Sequence, residues 1–193
     1  MELGQAIHSK GVMILTGYLG HTYAQLFPLA ISASIAIEQS YGYIDGDSAS
    51  LAELCCLISA LTRIPIKQTF AVTGSINQYG EVQAVGGVNE KIEGFFRLCQ
   101  ARGLNGQHAA IIPAANKRNL MLKQEVIDAV AKGLFAVYAV SSVDETLELL
   151  TGQAAGVLDG EGLYPEDSIN FKAISRLKEI SDMAGDEDDK EEV

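Results

Sequence analysis

The run KQTFAVTGSINQYGEVQAVGGVNEKIEGFFRLC, residues 67–99, changes its hydrophobic period within one unbroken stretch. Lys67 to Gly74 and Glu81 to Val85 read as strands, joined across Asn77-Gln78-Tyr79-Gly80 in a hairpin. Gly86-Gly87 then closes the strand pattern and leads into a helix from about Val88 to Arg102.

Outward from this core the same interleaving continues. Toward the C-terminus come a strand at His108–Pro113, a helix near Lys123–Lys132, a strand at Phe135–Val140 and a helix at Val143–Leu150. Toward the N-terminus, Leu51, Leu54, Cys55, Ile58 and Leu61 recur at helical spacing from Ser48 onward, and Arg63 and Pro65 stop that helix. Gly11 to Leu19, GVMILTGYL, has strand character. Pro28 to Gly42 reads as a helix, with proline early and glycine at its end. Alternating strands and helices predict an α/β (α+β) fold, a mixed sheet covered by helices. No internal repeat is evident. A glycine-rich link after Thr151-Gly152 leads through Tyr164-Pro165 to an amphipathic helix near Ile169–Ile180.

A chain of 193 residues accommodates one well-buried domain plus a tail. Its net charge of -11 argues against nucleic acid as the main partner. Much of the excess acid sits in Gly185–Val193, GDEDDKEEV, expected to stay solvated and disordered. Cys55, Cys56 and Cys99 fall inside apolar helical patterns and read as reduced, buried thiols, which suits the cytoplasm. No metal-ligand spacing is present. The apolar runs are too short and too interrupted to span a bilayer, and no signal sequence opens the chain.

One segment invites chemistry: YIDGDSASLAEL, residues 43–54. Ser50-Leu51-Ala52-Glu53 has the spacing of a capping box, which accounts for a helix start without Ser48. A serine at the mouth of a helix stands beside free N–H groups able to hold a developing oxyanion, here near Ser48 and Ala49. His8, His21 and His108 are poorly placed to serve as its base. Lys91 is a better base, because the first turn of a helix disfavours an ammonium. Its spacing to Val88, Phe95 and Leu98 puts it on an apolar face, and desolvation lowers a lysine pKa toward what a general base needs. The alternative is a lysine snorkelling to solvent. Thr73, at a strand end, is placed to fix Lys91. Asp45 and Asp47 either hold the loop or pair with Lys91.

DGDSAS, AVTGSINQYGEVQAVGGVNEKIEG and IIPAANKRNL, in that order, resemble the proteolytic domain of Lon proteases, over roughly His8 to Thr151. The acidic residue before the serine is similar to the B-type branch. The resemblance implies Ser48 as nucleophile, Lys91 as general base of a Ser-Lys dyad and Thr73 as its assistant, with Asn116, Lys117 and Arg118 in a motif of open role. It implies a compact α/β unit like a domain of a small-subunit ribosomal protein, in six-membered rings. It further implies a serine endopeptidase acting on unfolded or damaged polypeptides, served by an AAA+ ATPase module that uses ATP and Mg. No G-x-x-x-x-G-K-[ST] phosphate loop occurs here, so no cofactor is expected in this chain. Ser75 stands where many A-type members carry glutamate. The expected division is a proteolytic core over 1–152, a helical extension over 153–182 and an acidic tail over 183–193. The rival readings are a noncatalytic Lon-like ring or scaffold domain, an ATP-independent Lon-like peptidase, and a module binding small anions at the Ser48 helix mouth.

Overall fold

The computed structural model describes residues 6–38, 42 and 45–191. In chain order its elements are α1 (Ala6–Tyr23), α2 (Ser50–Thr62), β1 (Phe70–Val72), β2 (Ser75–Ile76), β3 (Val82–Gln83), α3 (Val88–Arg102), β4 (His108–Pro113), a 3-10 turn (Ala114–Asn119), α4 (Gln124–Ala131), β5 (Phe135–Val140), α5 (Val143–Thr151) and α6 (Ile169–Glu191).

Strand β4 is the spine. It pairs in parallel with β1 on one side and β5 on the other. Parallel neighbours need a crossover, and α3 and α4 lie in the two connections. Ala109 to Pro113 are all buried, as a strand covered on both faces must be. Successive side chains of β4 serve opposite cores. Ile111 joins Leu51, Leu54 and Ile58 of α2, Leu147 of α5 and Leu177 of α6. Ala110 and Ile112 join Val88, Ile92 and Phe96 of α3 with Val126 of α4.

The hairpin β2–β3 is antiparallel and separate from that sheet. Asn77 Oδ1 accepts from the N–H groups of Tyr79 and Glu81, both at 3.0 Å, which folds the turn. Gly80 has φ +79°, and a Cβ there would lie 2.5 Å from the Tyr18 ring, so only glycine lets this turn press on α1. The hairpin is tied to the end of β5: Val82 N–H donates to Ser141 O at 2.9 Å and Val143 N–H to Gly80 O at 3.0 Å. A further clasp holds α6, where Tyr23 Oη donates to Asn170 Oδ1 at 2.8 Å and Asn170 Nδ2 to Asp144 Oδ1 at 3.3 Å.

Several expectations are corrected. Gly11–Leu19 is part of α1, not a strand: Gly11, Leu15, Tyr18, Leu19 and Tyr23 are buried at helical spacing, and exposed Val12 and Met13 mask that period in the sequence. The expected helix at Pro28–Gly42 is not formed over 28–38, and residues 39–41 lie outside the described residues. Leu29, Ile31, Ala33, Ile35 and Ile37 alternate with small residues, so no helical stripe exists to bury. The strand expected over Lys67–Gly74 is only Phe70–Val72 and pairs with β4, while Ser75–Ile76 forms the first arm of the hairpin. Helix α6 runs on to Glu191 instead of ending near Ile180, because each further residue joins a helix already nucleated by its packed half. Cys55 and Cys99 are buried free thiols, whereas Cys56 is exposed.

Candidate active site

The turn before α2 is stitched to the end of β1. Gly74 N–H donates to Ser48 O at 2.9 Å, and Leu51 N–H donates to Gly74 O at 3.2 Å. Thr73 Oγ1 adds a longer bond to Ser48 O at 3.4 Å, while Thr73 N–H is held by Ile111 O of β4 at 3.0 Å. A Cβ on Gly74 would stand 2.8 Å from Leu51 Cδ2, so this closeness needs glycine. The capping box does not form. Ser50 is the first helical residue and Ala49 the N-cap, without a side-chain bond; the buried Ser50 Oγ instead accepts from Ile76 N–H at 3.3 Å. The serine anchors the hairpin to α2.

Lys91 comes from the other core. Gly87, at φ +68°, is the N-cap of α3, and Lys91 N–H donates to Gly87 O at 3.0 Å. From there Nζ reaches over to donate to Ser48 Oγ at 3.0 Å and to Thr73 Oγ1 at 3.1 Å. Loss of hydration around the amine lowers its pKa below the ordinary lysine value, although the residue as a whole is exposed. That exposure corrects the expected apolar face. The buried stripe of α3 is Val88, Ile92, Phe96 and Cys99, whereas Phe95 is half-buried and Leu98 is 48% exposed, so Lys91 stands at the border of the stripe.

Asp45 and Asp47 do not pair with Lys91: no described ion pair involves it. They shape the loop. Asp45 Oδ1 accepts from Gly46 N–H at 2.8 Å and Asp47 O from Ser50 N–H at 3.1 Å. Among the described residues the N–H groups of Ser48 and Ala49 have no hydrogen-bond acceptor, at the amino end of a 13-residue helix. His21 packs edge-on against Tyr79 and His108 opens β4, and neither bonds to Ser48. No group of acidic, histidine or cysteine side chains among the described residues is arranged to hold a metal ion.

Beside the Ser48–Lys91 contact lies a cleft of about 270 Å³ with Ala52, Ala71, Phe95, Ala110 and Ile112 in its walls. Sequence reading missed these walls, because a small residue in a strand reads the same whether it lines a cleft or fills a core. The sequence motif alone gives Asn116 no role. The residue is buried, and its amide grips Val85, accepting from Val85 N–H and donating to Val85 O, both at 3.0 Å. Lys117 and Arg118 are exposed. The described helices include none long and apolar enough to cross a membrane.

Residues 31–152 match the family model of the Lon protease (S16) C-terminal proteolytic domain. The chain is 50% identical over 161 residues to a "Putative Lon protease homolog" of Escherichia coli (strain K12), covering 83% of this chain and 27% of that protein. To a protein of the same description in Haemophilus influenzae it is 47% identical, over 91% of this chain and 28% of the relative. To an "Archaeal Lon protease" of Methanocaldococcus jannaschii it is 41% identical, over 60% of this chain and 15% of the relative. The chain thus spans less than a third of the length of each of these relatives. The match over residues 31–152 takes in the Ser48 turn, the Thr73–Gly74 junction and the first turn of α3 alike, and this chain belongs to the family of Lon protease proteolytic domains.

Proposed function

We propose that the chain is a serine endopeptidase in which Ser48 is the nucleophile and Lys91 the general base. The observation that carries this reading is the amine 3.0 Å from the hydroxyl, with its pKa lowered by burial and, among the described residues, no carboxylate paired with it. Neutral Lys91 accepts the Ser48 proton as Oγ bonds to the peptide carbonyl carbon. The oxyanion is received by the N–H groups of Ser48 and Ala49. On collapse the C–N bond breaks, and the Lys91 ammonium returns its proton to the departing amine. Lys91 then deprotonates a water that attacks the ester, which releases the acid and restores the hydroxyl. Thr73 Oγ1 holds the amine on this line, and the alanine-lined cleft receives an apolar side chain next to the cleaved bond.

The relatives bear the name Lon protease, and on that footing the substrates are unfolded or damaged polypeptides delivered by an AAA+ ATPase module. ATP and Mg belong to that module. These residues do not fit a nucleotide site, for the glycine pair before α3 lacks the phosphate-loop sequence, and no step above uses either. A six-membered ring in the cytoplasm is the proposed assembly.

Intact-mass labelling with a fluorophosphonate across pH tests the dyad. One adduct per chain is expected in the wild type and none in Ser48→Ala or Lys91→Ala. A folded wild type that takes no label supports the noncatalytic scaffold instead.

A further inference from the structure

We propose that Asn116 is a positioning residue for Lys91: its amide fixes the entry of α3 and thereby the reach of the amine to Ser48. The inference rests on the Ser48–Lys91 reading above.

Val85 lies past the end of β3 and two residues before the N-cap Gly87. A backbone segment that has left its ladder carries an N–H and a C=O that both need partners. Asn116, 8% exposed, supplies both from one side chain, with each bond at 3.0 Å. A neutral side chain offering a strong donor and a strong acceptor on separate atoms of one planar group is a carboxamide. Here it stands in for a missing strand.

The consequence runs through a short chain of bonds. Val85 is followed by Gly86 and Gly87, the residues that hold direction least on their own. The Gly87 carbonyl receives the Lys91 N–H, so the backbone of the lysine hangs from this pliable link. A second asparagine acts in the same sense: Asn89 Oδ1 accepts from Met121 N–H at 2.9 Å, and Asn89 Nδ2 donates to Asn119 O at 3.3 Å. Both tethers join the first turn of α3 and its approach to one segment, residues 116–121. A satisfied buried amide would account for Asn116 alone. It would not account for two asparagine tethers that meet on either side of the glycine pair bearing Lys91.

The test compares Asn116→Ala with Asn170→Ala, which removes another buried, hydrogen-bonded amide, from the clasp between α1, α5 and α6. Two readouts are taken in the full chain: the pH profile of fluorophosphonate labelling, and the Lys91 pKa from NMR of its side-chain ε-carbon, assigned by its loss in Lys91→Arg. Asn116→Ala is expected to slow labelling about tenfold or more and to return the lysine pKa toward its ordinary value, because a misplacement of ~1 Å costs a reaction of this kind up to about a hundredfold. Asn170→Ala lowers the melting temperature and leaves pKa and profile in place. Asn116→Asp keeps the acceptor for Val85 N–H, drops the donor, and falls between. Should Asn116→Ala not fold, Asn116→Asp is read alone and must still move the pKa. An unmoved Lys91 pKa in the Asn116 variants, or an equal movement in Asn170→Ala, overturns the proposal. Labelling absent from folded wild type, with a Lys91 pKa still moved by Asn116→Ala, sinks the nucleophile reading and leaves the clamp standing. Labelling lost in Ser48→Ala while Asn116→Ala keeps the wild-type profile does the reverse.

Discussion

Lys91 touches two neutral hydroxyls at 3.0 and 3.1 Å and, among the described residues, no carboxylate, so no negative charge holds its proton while the site strips part of its hydration. The sign of the pH dependence follows. A pKa below that of free lysine leaves the native chain binding fewer protons than the unfolded chain in the interval up to the ordinary value of 10.5. Labelling of Ser48 is therefore expected to rise with pH and level off before 10.5, and the stability contribution of this group rises over the same interval. A labelling profile that levels off only at the free-lysine value would contradict this. Lys91→Arg keeps a cation that cannot deprotonate, so it should abolish labelling while the melting temperature stays within ~2 °C of wild type. Thr73→Val removes one of the two oxygens that hold the amine and should slow labelling about tenfold, with the fold unchanged by circular dichroism. Ser48 and Lys91 stand out in the sequence, as a serine outside the expected cap and a cation in a turn that selects anions, and the structure brings them within 3.0 Å of each other. Asn116 does not stand out, since an asparagine after a strand reads as a turn residue.

At the scale of elements, the seam between β1 and α2 is the most exacting contact. Gly74 lies where a Cβ would meet Leu51 Cδ2 at 2.8 Å and Val82 Cγ1 at 3.2 Å. Gly74→Ala should cost about 1–3 kcal/mol in denaturant unfolding, as overpacking does, and should cut labelling by more than that stability loss accounts for, because the displaced residue bonds directly to Ser48 O. Labelling that falls only in proportion to the unfolded fraction would count against it. The helices from α2 to α5 and the strands β4 and β5 were legible because each shows one period over its length, whereas β1 and β2, of three and two residues, are too short to show one. The first 38 residues were not legible either: α1 is apolar on nearly every side, and 28–38 alternates like a strand without a described partner strand. The pairing of β1 with β4 across α3 was hidden as well, since a parallel ladder joins residues far apart in the chain.

Across the whole molecule, Ser181 is the last buried side chain of α6 among the residues whose burial is described, and the sequence from Asp186 onward is almost entirely charged. Removing 183–193 should shift the melting temperature by less than ~2 °C in a thermal scan. A larger fall would show that the tail packs. With a net charge of -11, copies of this chain repel one another, and the proposed six-membered ring should be favoured by salt, which light scattering across ionic strength would read as a mass rising toward six chains. The two cores add a further consequence. Ser48 is carried by a helix rooted on one face of the sheet and Lys91 by a helix rooted on the other. A slide of one helix by ~1 Å along the sheet would keep both sets of apolar side chains covered and still part the amine from the hydroxyl. Cooperative melting therefore reports only that the two cores are formed, and the alignment of the amine with the hydroxyl is read by labelling alone.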